Sequence, residues 1–281
     1  MITMDAQCVS EYITGGQFHQ STEEDLTKCF GKYDMTHKKR GVAFIFNNEN
    51  FKHSELKTRL GSSKDTQDFK GALIKLGFHE DDINVHTDST VQEMLDTLEK
   101  IGKNNSLTDL DCFICVILSH GGPDDVICGY DGTVKLDKLL SYLRPDRCPS
   151  LKGVPKLFII QACRGTTSDV GVEKNDDNST GPEEWSPTIP VMADMLVVYS
   201  SCNKYLSYRN GKDGSGFIQA LSEILMKYGT KYEIMKLLTA VSNRVASLDF
   251  QSSDNSKYNS CKQMPQIMST LIKELMFEPK K

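Results

Sequence analysis

Apolar residues fall along this chain in short unbroken runs, and segments of helical period lie between them. The first run, Val42-Ala43-Phe44-Ile45-Phe46, stops at Asn47-Asn48 and reads as a buried strand followed by a turn. Cys112–Leu118, Lys156–Ile160 and Met195–Tyr199 are runs of the same kind, and Asp82–His86 is a more polar candidate. Hydrophobicity that does not alternate predicts strands covered on both faces. In Thr66–Leu76 the apolar positions Phe69, Leu73 and Leu76 follow helical spacing. Val91, Leu95, Leu98 and Ile101 do the same, and Gly216–Tyr228 and Lys231–Val245 complete the set of helices. Strand and helix therefore alternate. This predicts an α/β three-layer sandwich, with a central, mostly parallel sheet flanked by helices and right-handed crossovers.

Two segments depart from the pattern. Residues 1–35 mix Gly15-Gly16, Gln, Ser and acids, and are expected to form a short flexible leader, too short for a second domain. Residues 166–190 carry three prolines and few apolar positions between two predicted buried strands. A connection that long without structure is uncommon in a compact domain. It reads either as a tolerated surface insertion or as a segment meant to be cut. Charge is concentrated in the same two places: six acids against two bases in residues 1–34, and six against one in 166–190. The formal net charge of -5 thus belongs to the leader and linker, leaving a mildly basic body of 36–165 and 191–281. No strongly basic surface is implied, so nucleic acid is not an expected partner.

The longest strongly apolar run, Cys112–Leu118, is far short of the roughly 18 residues a membrane helix needs, so no membrane association is expected. The first residues lack a basic stretch followed by an apolar one, so they do not read as a secretory signal. Nine cysteines without paired spacing suit a reducing compartment, and a cytoplasmic protein is expected. Cys112 and Cys115 have metal-like spacing. They lie in a predicted strand whose alternate residues face opposite ways, with no second ligand pair following, so neither a metal nor another cofactor is expected.

The candidate chemistry sits at two strand ends. Cys112–Leu118 runs into Ser119-His120-Gly121-Gly122, and Lys156–Ile160 runs into Gln161-Ala162-Cys163-Arg164-Gly165. Open α/β sheets form their sites at the carboxyl ends of strands. There a cysteine and a histidine can meet as nucleophile and proton partner, with the Gly121 and Cys163 N–H groups available to an oxyanion. Taken alone, one cysteine among nine also reads as a core residue and one histidine as a structural one, and position does not choose between these readings.

Gln161-Ala162-Cys163-Arg164-Gly165 resembles the caspase signature, with His120 standing 43 residues upstream of Cys163. Gly41–Asn48 resembles the first strand of that family, Ile189–Tyr199 the start of its small subunit, and Leu206–Asn210 through Lys212–Ser215 its substrate loop. The resemblance covers about residues 36–278 and, with the short leader, is of the effector (executioner) type. It implies a six-stranded caspase-like sheet and a thiol protease that cuts after aspartate and takes part in apoptosis. Residues 36–165 would form the large subunit, 166–190 the acidic processing linker and 191–281 the small subunit. Implied roles are nucleophile for Cys163, acid and base for His120, and backbone oxyanion donor for Gly121. Arg59, Gln161 and Arg209 would hold the P1 carboxylate. Ser207 and Arg209 would add the substrate as a strand, Leu206 and Tyr208 would line P2, and Asn210 would reach a P4 acid. Processing of the zymogen, in part autocatalytic, is expected after Asp169, Asp176 or Asp177, and after Asp25 in the leader. Implied partners are protein substrates, an upstream initiator protease, inhibitor-of-apoptosis proteins and a second large–small pair in a homodimer.

The chain departs from the effector pattern at Gly216, where a tryptophan is common, and at Leu206, where an aromatic is common. A wider and less discriminating P4 subsite is expected. Gly122-Pro123-Asp124-Asp125 also differs from the usual continuation after the histidine. Asp111 and Asp131 are read as strand-end and turn residues rather than as a third catalytic group. Peptidases of related fold that take basic or asparaginyl P1 residues are disfavoured by the two arginines. A silent regulator would have lost Cys163, His120 or an arginine, and the glycine pattern of a nucleotide-binding module is incomplete at Gly214-Ser215-Gly216.

Overall fold

A computed structural model describes residues 23–27, 29–53, 55–165, 193–250 and 261–280. In chain order the elements are α1 (Glu23–Thr27), β1 (Lys39–Asn47), α2 (Ser62–Lys75), β2 (Ile83–Thr87), α3 (Val91–Gly102), β3 (Leu110–Leu118), β4 (Gly121–Gly122), β5 (Val126–Cys128), β6 (Thr133–Lys135), α4 (Leu136–Ser141), β7 (Lys156–Gln161), β8 (Met195–Tyr199), β9 (Arg209–Asn210), β10 (Gly214–Ser215), α5 (Gly216–Tyr228), α6 (Ile234–Ala246) and β11 (Gln266–Ser269). The main sheet has six strands in the order β11-β8-β7-β3-β1-β2. All neighbours are parallel except β11, which runs antiparallel to β8.

The unbroken runs do face two ways. Ala43, Ile45, Ile114, Val116, Leu157, Ile159, Leu196 and Val198 join one apolar core with α2, α5 and α6. Their neighbours Phe46, Phe113, Ile117, Phe158, Ile160 and Val197 join a second core with α3 and α4. Because successive strand residues point to opposite faces, each strand contributes to both layers. The same alternation separates Cys112, in the first core, from Cys115, in the second.

Local signals set the helix ends. Thr90 and Glu93 form a reciprocal capping box at the start of α3, and the Glu233 carboxylate accepts the first free N–H groups of α6. The small sheet β4-β5-β6 and helix α4 were not predicted. Strands of two or three residues have too few positions to show a period, and the turn into β5 depends on Asp124 and Asp125, both at positive φ. The leader boundary expected at residue 35 is also late. Tyr33 and Met35 are buried, and the Tyr33 hydroxyl donates to Asp194 at 2.7 Å, so the folded body includes them. The linker 166–190 lies outside the described residues.

Candidate active site

The register of the parallel strands brings the two strand ends together. Leu118 at the end of β3 pairs with Gln161 at the end of β7, so His120 and Cys163 each stand two residues beyond a matched pair. Gly121 is packed directly against the cysteine. A Cβ on it would lie 2.6 Å from the Cys163 carbonyl oxygen and 2.8 Å from that of Val126, so only glycine permits the approach. The His120 ring is held by Phe51, 4.9 Å away between centroids, and by the Lys57 carbonyl, 2.7 Å from Nε2. A neutral ring that donates from Nε2 carries its free lone pair on Nδ1. Burial, and then the charges of Arg59 and Arg209, hold the imidazole pKa below its ordinary value, while the bond to Lys57 opposes them.

Cys163 is half-buried, and its Sγ lies 3.4 Å from the Ser207 N and 3.7 Å from the Ser207 carbonyl oxygen. The strand expected to receive substrate thus runs beside Cys163. Arg164, the next residue, is clamped from three directions. Its guanidinium makes a two-point contact with Asp125, at 2.6 and 3.1 Å; it lies over the Tyr199 ring at 3.9 Å and bonds Gln266. The unusual Gly122–Asp125 segment therefore supplies the carboxylate that fixes the residue after Cys163.

Arg59, Gln161 and Arg209 gather at the same end of the sheet. Arg59 is fully buried and bonds the Asn48 carbonyl through Nη1, while its Nε and Nη2 have no partner. Gln161 donates to the Ser207 hydroxyl at 2.7 Å and leaves Oε1 unpaired; Arg209 donates from Nε to the Leu60 carbonyl. Burial first, then the Arg209 charge, pushes the Arg59 pKa down to about 9. Burial also lowers that of Arg209. Two like charges, one of them buried with two vacant donors, form a site that an incoming carboxylate would relieve.

Sequence reasoning missed three contributors. Asp65 is buried on α2, with Oδ1 on the Ser215 N–H at 2.7 Å and Oδ2 unpaired. It is a counter-charge to both arginines. The signal was an acid four residues before Phe69, on the buried stripe of the helix. Gln263 bridges the end of β8 to the segment Ser207–Asn210, accepting from Tyr208 N at 2.9 Å and donating to the Ser200 carbonyl. The third is Phe250, stacked on Tyr208 at 4.9 Å with planes 16° apart. Its ring lies where a side chain on Gly216 would be, 2.8 Å from the position of a Cβ there. The space beside Gly216 is therefore filled by a ring, where a wider P4 subsite was expected. Asn210 is likewise engaged, donating to Asp213 and accepting from Lys212 N, and Leu206 is half-buried.

Asp111 and Asp131 serve the scaffold. Asp111 binds His37, Arg40 and Lys280, and Asp131 accepts the Val91 N–H at the start of α3. Among the expected processing positions, Asp169, Asp176 and Asp177 lie outside the described residues; Asp25 lies in α1.

The caspase domain model matches residues 40–276. The chain belongs to the caspase family. It is 40% identical to bovine (Bos taurus) Caspase-3, 42% to mouse (Mus musculus) Caspase-3 and 38% to chicken (Gallus gallus) Caspase-7. Those alignments cover 87, 87 and 88% of this chain and 87, 86 and 80% of the relatives. The crystal structure of Caspase-1 from Spodoptera frugiperda superposes with a TM-score of 0.80 at 35% identity, over 89% of this chain and 94% of that one. The chain is accordingly an executioner-type caspase and a cysteine-type endopeptidase with the caspase-like α/β fold. Among the described residues, no helix is long and apolar enough to cross a membrane.

Proposed function

We propose that this protease cleaves proteins after aspartate. The observation that carries the reading is the pair of vacant, buried Arg59 nitrogens beside Gln161 and Arg209. A substrate aspartate would dock there, and its main chain would extend along Ser207 to Arg209 in place of the contact that Cys163 now makes. Cys163 passes its proton to His120 and the thiolate attacks the P1 carbonyl, with the oxyanion facing the N–H groups of Gly121 and Cys163. His120 returns the proton to the leaving amine, then takes one from the water that hydrolyses the thioester. Lysine could not replace the arginines, since the planar fork matches both carboxylate oxygens.

The wider biology follows from the same reading. The chain would be a zymogen of the cytoplasm, processed at Asp25 and at linker aspartates by an initiator protease or by itself. It would work in apoptosis as a homodimer of large–small pairs joined along β11, subject to inhibitor-of-apoptosis proteins. The test is a set of fluorogenic tetrapeptides differing only at P1. Aspartyl peptides should exceed asparaginyl ones by roughly 100-fold or more in kcat/KM, because an amide brings the two guanidiniums no charge and only one acceptor oxygen. Preference for asparaginyl or arginyl peptides would overturn the pocket assignment.

A further inference from the structure

We propose that Phe250 and Asp213 make the P4 subsite selective for an apolar side chain over an acid. The inference rests on the proposed function, in which substrate lies extended beside residues 207–210. Ser207 and Arg209 turn toward Gln161 and Leu60 on the P1 side, whereas Tyr208 turns the other way, onto Phe250. An extended peptide alternates its side chains and rises about 3.3 Å per residue, so P2 and P4 face the Tyr208 side and P4 sits about 10 Å from P1.

Two independent observations define that place. The first is packing. Gly214 pairs with Asn210 and Ser215 with Arg209, so the next step of the register sets Gly216 opposite Tyr208. With no side chain at Gly216, Phe250 and Leu248 move in, 2.8 and 3.0 Å from where a Cβ would stand. The Phe250 main chain is pinned by a reciprocal pair of bonds to Cys261, at 3.0 and 2.9 Å. The wall of the subsite is thus a fixed aromatic pair, and it desolvates whatever lies against it.

The second observation is electrostatic. Asn210 is the residue whose amide would be asked to bind a P4 acid, but its Nδ2 donates to Asp213 Oδ2 at 3.0 Å and its Oδ1 accepts Lys212 N–H at 2.8 Å. One amide hydrogen remains, next to a carboxylate that repels a second acid. An aliphatic P4 residue meets neither penalty and gains contact with the two rings.

The experiment uses the processed protein and two peptide series, with aspartate or asparagine at P1 and with leucine, valine or aspartate at P4. In the series that is turned over, leucine and valine should exceed aspartate in kcat/KM. Phe250→Ala should cost the leucine peptide roughly 10-fold while moving the aspartate peptide far less, since the lost contact is apolar. Asp213→Ala, which leaves the rings in place, should raise the aspartate-to-leucine ratio several-fold. A wild-type preference for P4 aspartate, or P4 ratios that neither variant changes, would overturn the inference. The choice between the two P1 series reports separately on the proposed function, and absence of turnover in both would overturn the two together.

Discussion

The Asp65 carboxyl is buried beside two arginines, with one oxygen on the Ser215 N–H and the other unpaired. Burial is the largest influence on it, and it pushes the pKa up to about 6 despite the arginines and the hydrogen bond. A carboxyl that prefers its proton when folded is stabilised at low pH, and the folded state loses that advantage as pH rises from the ordinary value near 4 through 6. Asp65→Asn keeps an oxygen for Ser215 but cannot ionise. Between pH 4 and 7 the wild type should lose up to about 3 kcal/mol relative to the variant. Urea unfolding at the two pH values measures it, and a constant difference would contradict the raised pKa. His120 titrates in the other direction. Its pKa is held down by burial and by the arginines, so it stays neutral, and able to accept the Cys163 proton, to lower pH than an ordinary imidazole. The acid limb of kcat/KM should fall below pH 6.5, the ordinary histidine value. A limb above that value would contradict the stated field.

At the scale of elements, the link from the β4-β5 turn to the residue after Cys163 is the one most open to test. Asp125 reaches Arg164 from a backbone at positive φ, and Arg164 is tied in turn to β8 through Tyr199 and to β11 through Gln266. Asp125→Ala should lower kcat more than it raises KM, because it loosens the neighbour of the proposed nucleophile Cys163 and leaves Arg59, Gln161 and Arg209 in place. It should also cost about 2 kcal/mol of stability by leaving the Arg164 charge uncompensated. An effect confined to KM would contradict this. These elements also show where the sequence was legible. The five parallel strands, α2, α3, α5 and α6 were visible because each repeats a burial pattern over several residues. The placement of His120 and Cys163 beyond the ends of neighbouring strands was visible because both follow apolar runs directly. Asp125, Gln263 and Phe250 were not, since each acts on a residue far along the chain through one contact that leaves no local period. Gly216 was read as a loss, whereas its consequence depends on which ring reaches the gap.

For the molecule as a whole, the ends of the domain meet in a buried charge cluster. Asp111 on β3 accepts from His37 N, the His37 ring, Arg40 and Lys280, while Arg40 also bonds the Leu76 and Glu278 carbonyls. If the linker is cut, Lys280 and Glu278 belong to one chain and the others to its partner, so the cluster holds the two together. Asp111→Ala leaves the buried Arg40 and the partly buried Lys280 without their shared counter-charge and should cost about 3 kcal/mol, read from denaturant unfolding; a loss under about 1 kcal/mol would contradict that role.

The central claim is that Cys163 attacks the carbonyl of an aspartate held by Arg59 and Arg209. The most direct measurement is labelling of the processed protein with an aspartyl peptide halomethyl ketone, followed by mass mapping of the adduct. The account predicts one adduct per active site on the Cys163 sulfur, absent from Cys163→Ala and much slower to form with the asparaginyl analogue. An adduct on another cysteine, or equal labelling by the two analogues, would contradict it.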